Sequence, residues 1–146
     1  MQMGDKKRFD GRVAVVTGAS RGIGKAVGTH MAQQGAAVAL LDIDESVKAV
    51  ADELAGQGFS CLGRVADVGR EADVGQALAG VVKKYGGVHI LVNNAGVVRP
   101  AGLALVSEDD WDQATRVNLK GAFFCAKHCL AHMKTQRYGK IINIGS

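Results

Sequence analysis

The chain has 146 residues, 47% hydrophobic and 22% charged, the balance of a soluble globular protein with room for a buried core. No run approaches the ~20 apolar residues of a membrane helix, so a membrane is not an expected partner. Nor does the formal net charge of +4 predict nucleic-acid binding, because Lys6-Lys7-Arg8 is the one basic cluster, at a terminus, and only 5% of residues are aromatic.

That basic start has no apolar stretch behind it, so it does not read as a secretory signal, and a cytoplasmic location is expected. Val13–Thr17 follows, a short β-branched run of the kind that forms a parallel strand buried on both faces. Gly18, Gly22 and Gly24 then allow a sharp turn with no Cβ between backbone and ligand. A helical pattern at Ile23–Gln34 comes next, whose N-terminus would turn free N–H groups and a positive dipole end toward that turn. A glycine turn alone is commonly just a turn, but strand, turn and helix together make a pyrophosphate cradle. Strands are expected further on at Ala37–Leu41, Ser60–Val65, Val88–Val92 and Lys140–Ile144, with helices at Asp44–Gly56, Arg70–Tyr85 and Glu108–Thr135. Gly35, Gly56 with Gly58, and Gly86-Gly87 supply the stops, and Ser107 an N-cap to the long last helix. Unbroken strand–helix alternation predicts an α/β fold, a doubly wound parallel sheet of Rossmann type with five strands in this chain.

Ligands of such sheets sit beyond the C-terminal strand ends. Asp42 ends the second strand, 18 residues past Gly24, where a carboxylate can accept from both hydroxyls of an adenosine ribose and repel a 2′-phosphate; a helix cap is the alternative, and Asp44 suits that role better. Asp67-Val68 ends the third strand, a carboxylate beside an apolar side chain that fits an adenine edge and face, or else a turn former. Asn93-Asn94-Ala95-Gly96 ends the fourth, equally suited to close ligand approach and to tying strands together.

Cys125, His128, Cys129 and His132 share one helical face and look like a metal site. They span about 10 Å of helix axis, far more than one ion's ligand shell, so a packed sulfur face with histidines at its edge is the preferred reading and no metal is expected. With Cys61 the cysteines number three, which implies no disulfide framework.

Taken together, the Thr17–Gly24 turn, Asp42, Asp67-Val68, Asn93–Gly96, Val117-Asn118-Leu119-Lys120-Gly121 and Gly139–Ser146 resemble, in order, the classical branch of the short-chain dehydrogenase/reductase family. The resemblance implies an oxidoreductase that interconverts a secondary alcohol and a ketone by hydride transfer to or from a nicotinamide dinucleotide. It implies a cofactor site at Gly18, Ser20, Arg21, Gly22, Ile23, Gly24, Asp42, Asp67, Val68, Asn94, Ala95 and Gly96. Asn118 becomes the helix asparagine that holds a water of the proton relay, and Ser146 the serine that hydrogen-bonds the substrate oxygen. Asp42 favours NAD; Arg21 could reach a 2′-phosphate, as in relatives that reduce 3-oxoacyl thioesters with NADPH. A homodimer or homotetramer is implied, packed through the helix carrying Phe123, Phe124, Leu130 and Met133.

One departure from the family stands out. Its tyrosine–lysine pair, four residues apart, is absent: the two tyrosines, Tyr85 and Tyr138, are followed at that spacing by His89 and Ile142. Relatives commonly run to about 250 residues as one domain. Residues 1–146 are therefore expected to form one dinucleotide-binding domain, C-terminally incomplete, whose last strand exposes an apolar edge. If the 146 residues are the whole protein, a non-catalytic dinucleotide-binding or interaction module is the alternative.

Overall fold

A computed structural model describes residues 7–98 and 102–145. The short apolar runs form strands β1 (Val13–Thr17), β2 (Ala37–Asp42), β3 (Cys61–Val65), β4 (Ile90–Asn93) and β5 (Lys140–Asn143). Helices α1 (Gly22–Gln33), α2 (Ser46–Gly56) and α3 (Glu71–Tyr85) alternate with the first four. All strands are parallel, in the order β3-β2-β1-β4-β5, so the chain winds outward in one direction from β1 and then returns to wind the other way from β4. The order reverses between β1 and β4, and a crevice opens there.

Strand alternation sends successive side chains to opposite faces, and each face has its own core. Val13, Val15, Ala39, Leu41 and Leu91 pack with α3 and with the helix Gly121–Gln136. Ala14, Val16, Val38, Leu40, Ile90 and Val92 pack with α1 and α2. Val15, Val16, Leu40, Leu41 and Leu91 have no accessible surface at all. Burial on both faces is why these strands read as continuous apolar runs.

β4 begins at Ile90, two residues later than its apolar run suggests. Just before it, the His89 ring Nδ1 accepts the Val13 N–H at 3.1 Å, and the His89 main chain donates to the Val13 carbonyl at 2.9 Å.

The expected long helix Glu108–Thr135 is not one helix. It is α4 (Glu108–Ala114), a π-helical stretch over Thr115–Lys120, and α5 (Gly121–Gln136). The Thr115 hydroxyl donates back to the Trp111 and Asp112 carbonyls at 2.9 and 3.1 Å, a competition that loosens the regular ladder where the π turn starts. Ser107 caps α4 as its spacing predicts, its Oγ accepting from Asp110 N at 3.1 Å.

On α5, Cys125, Cys129 and Met133 enter the core, whereas Phe123 and Leu130 remain exposed. The apolar bulk expected at one outward interface is thus divided, with Met133 facing inward. Among the described residues β5 lies at the sheet edge, paired with β4 alone, and leaves Ile141, Ile142 and Ile144 exposed. Among the described residues no helix is long and apolar enough to cross a membrane.

Candidate functional site

The C-terminal ends of β1, β2, β3 and β4 converge on one cleft of about 580 Å³. Gly18, Arg21, Gly22, Ile23, Asp42, Asp67, Val68, Asn94, Ala95 and Gly96 line it together. Ser20 and Gly24 are not lining residues but stand directly behind the wall, and both are buried. Ser146 lies outside the described residues.

Two glycines shape the turn. Gly18 has φ +64°, a conformation side chains rarely adopt, and Gly24 packs so closely that a Cβ would sit 2.1 Å from the Gly18 carbonyl oxygen. No side chain caps α1, whose first-turn residues Gly22 and Ile23 line the cleft. Such an end offers N–H donors and a positive dipole to an anion.

Each candidate acid is held in place. Asp42 Oδ2 accepts from Ser20 N at 2.9 Å and Oδ1 from Asp44 N at 3.0 Å, so its carboxylate is fixed where β2 ends. Asp44 takes the capping role, accepting from Ser46 N at 2.9 Å. That backbone hydrogen bond from Ser46 also holds the Asp44 carboxyl below the usual carboxylate range. Asp67 accepts from Gly69 N at 2.8 Å, so it does form a turn, and its other oxygen meets Arg116 Nη1 at 2.7 Å.

The asparagines act as ties. Asn94 Nδ2 donates to the Thr17 and Gly18 carbonyls, both at 3.0 Å, which locks the end of β4 to the glycine turn. The buried Thr17 hydroxyl accepts from Asn94 N and Ala95 N. Asn93 Nδ2 donates to Asn143 Oδ1 at 2.9 Å across the last rung of β4 and β5. Asn118 lies within the π stretch and clamps one residue of the cleft wall: its Oδ1 accepts from Val97 N at 2.8 Å and its Nδ2 donates to Val97 O at 2.9 Å.

Ile43, Ala66, Val97, Gln113 and Arg116 also line the cleft and carry no motif in the sequence; Val117, which opens the Val117–Gly121 motif, lines it too. Arg116 could not have been picked out, because its partner is 49 residues away and only the fold brings them together. The two tyrosines sit at the other end of the sheet, Tyr85 closing α3 ahead of β4 and Tyr138 just before β5. On the α5 face, Cys125 and Cys129 are buried free thiols, and His128 Nε2 lies 3.3 Å from Glu71 Oε1. Among the described residues no set of three or more metal-ligating side chains is grouped to hold an ion.

Comparison with known proteins agrees with this geometry. The chain is 44% identical over 136 residues to the (2S)-[(R)-hydroxy(phenyl)methyl]succinyl-CoA dehydrogenase subunit BbsD of Thauera aromatica, covering 92% of the chain and 55% of that protein. It is 39% identical over 140 residues to the 3-oxoacyl-[acyl-carrier-protein] reductase FabG of Thermotoga maritima, covering 95% of the chain and 57% of the relative. With oxidoreductase UcpA of Escherichia coli K12 it shares 38% identity over 139 residues, 95% of the chain and 53% of the relative. The chain spans about half the length of each of these relatives. The sequence profile of the short chain dehydrogenases matches residues 12–146. Since that match runs through every strand and helix that builds the cleft, the chain belongs to the short-chain dehydrogenase family.

Proposed function

We propose that this cleft binds a nicotinamide dinucleotide, NAD(H) in preference to NADP(H), and that the chain is the dinucleotide-binding domain of an oxidoreductase interconverting a secondary alcohol and a ketone. The observation that carries the reading is Asp42, fixed by two backbone N–H groups beside the uncapped start of α1. The residues present fit such a group. The first N–H groups of α1 and the turn Gly18–Gly24 take the pyrophosphate, with Ser20 and Ile23 completing the turn. Asp42 takes the ribose hydroxyls, Asp67 and Val68 the adenine, and Asn94, Ala95 and Gly96 the approach to the nicotinamide side. When bound, the nicotinamide ring supplies or accepts the hydride.

This chain's own residues orient and hold. The Asn118 side chain positions Val97, so a relay role for Asn118 rests on the main chain of its π turn rather than on its amide. Ser146 is assigned the hydrogen bond to the substrate oxygen. Among these 146 residues no tyrosine has a lysine four residues on. The exposed Phe123 and Leu130 of α5 suit a homodimer or homotetramer contact. A cytoplasmic location accords with the same reading.

A second reading is an NADPH-dependent 3-oxoacyl-thioester reductase. It is favoured by Arg21, which lines the same cleft as Asp42, and by two relatives whose names give an acyl-carrier-protein and a coenzyme A substrate. Titrating NADH and NADPH by fluorescence or calorimetry separates the two. NAD(H) is expected to bind at least about tenfold more tightly, ~1.4 kcal/mol. Equal affinities, or a preference for NADPH, would give the cleft to Arg21 and the second reading.

A further inference from the structure

We infer that Arg116 is a positioning residue for the purine end of the cofactor, holding Asp67 so that its carboxylate faces the 6-amino group. The inference rests on the dinucleotide reading of the cleft and adds to it a residue that no motif assigns.

Arg116 and Asp67 both line the cleft. Their contact, Nη1 to Oδ2 at 2.7 Å, is a charge-assisted hydrogen bond. The Asp67 side chain is only 15% exposed, which separates this pair from the solvated surface pairs that contribute little. Asp67 Oδ1 accepts from Gly69 N, so with Arg116 on Oδ2 the carboxylate is held at both oxygens against turning about its Cβ–Cγ bond. Each carboxylate oxygen still has a second lone pair, so acceptor capacity remains for an amino group.

The surroundings are built around the guanidinium. Gly69 leaves room for it: a Cβ at Gly69 would lie 2.4 Å from Nη1. Behind Asp67, its main-chain N–H donates to Asp73 Oδ2 at 3.2 Å, and its carbonyl accepts from Arg70 N at 3.0 Å. Arg116 reaches this loop from the π stretch, and Asn118 two residues on reaches the loop after β4. A carboxylate held in advance loses less freedom when the purine arrives.

The test uses a purine that lacks the amino group. Dissociation constants are measured for NADH and for reduced nicotinamide hypoxanthine dinucleotide, which carries a carbonyl oxygen at that position. The protein as it stands is expected to favour NADH by about tenfold or more, since at position 6 the donor is replaced by an acceptor oxygen that repels the carboxylate, the ring N1–H being displaced from the place the carboxylate is held to face. Gly69→Ala displaces the guanidinium while keeping both charged residues in the chain, and is expected to cut that ratio to about threefold or less. Arg116→Ala should do the same, and Arg116→Lys should restore part of the ratio. If both affinities fall together in Gly69→Ala and Arg116→Ala with the ratio intact, the pair is only a tie between loops and the inference is overturned. It is overturned too, with the dinucleotide reading left standing, if the unaltered protein binds both compounds equally. If it binds neither, the dinucleotide reading fails and takes the inference with it.

Discussion

Close packing at single positions makes the sharpest predictions. A Cβ on Gly24 would meet the Gly18 carbonyl oxygen of the turn's own backbone at 2.1 Å and, at 2.6 Å, Asn94 Nδ2, which is held by two hydrogen bonds to that turn. Gly24→Ala is expected to destabilise the fold by about 3 kcal/mol and to abolish dinucleotide binding, checked by denaturant unfolding and calorimetry. A second prediction concerns pH. Burial and then the nearby Arg12 charge push the His89 pKa below its ordinary 6.5, and its ring must stay neutral to accept the Val13 N–H. The unfolded chain therefore binds this proton more readily than the folded one. The His89 contribution is complete above pH 6.5 and is lost as pH falls toward and through the depressed folded value. Unfolding free energy measured from pH 7.5 to 5.5 should fall on acidification, and His89→Gln should flatten part of that slope. At this scale the legible residues were those inside a local motif: Asp42 could be placed at the end of β2 and Asp44 just beyond it from the sequence alone. His89 and Arg116 could not, because each acts on a partner far along the chain.

Strands and short helices were legible because burial on one or both faces writes a period into the sequence. The π stretch was not, since no residue type marks a π turn in a sequence. At its start the Thr115 hydroxyl donates to two carbonyls of the preceding turn. The edge strand carries a prediction of its own. β5 has one partner and exposes Ile142 at 45%, the profile of a strand that recruits another strand. Ile142→Lys is expected to reduce concentration-dependent aggregation, followed by light scattering, without lowering the unfolding midpoint by more than about 2 °C.

For the molecule as a whole, the two-way winding of the sheet was readable from strand–helix alternation alone, and it places the cleft at the β1–β4 reversal. What alternation cannot give is the division of α5, whose Met133 faces the core while Phe123 and Leu130 face out. If that outward face joins two copies, light scattering at micromolar concentration should return a dimer or tetramer mass, and Phe123→Glu with Leu130→Glu should return a monomer. A single-chain mass for the unaltered protein would remove α5 from consideration as an interface.

The sulfur face of α5 gives the protein an internal clock. Burial pushes the Cys125 and Cys129 thiols up to about 12, so near neutral pH neither offers a thiolate to an alkylating reagent while the helix is seated. Labelling can proceed only in the moments when α5 lifts from the sheet, and its rate then counts those moments. The label gained over time at these two cysteines, resolved from that at Cys61 on the opposite core, would therefore time the breathing of the α5 half of the core.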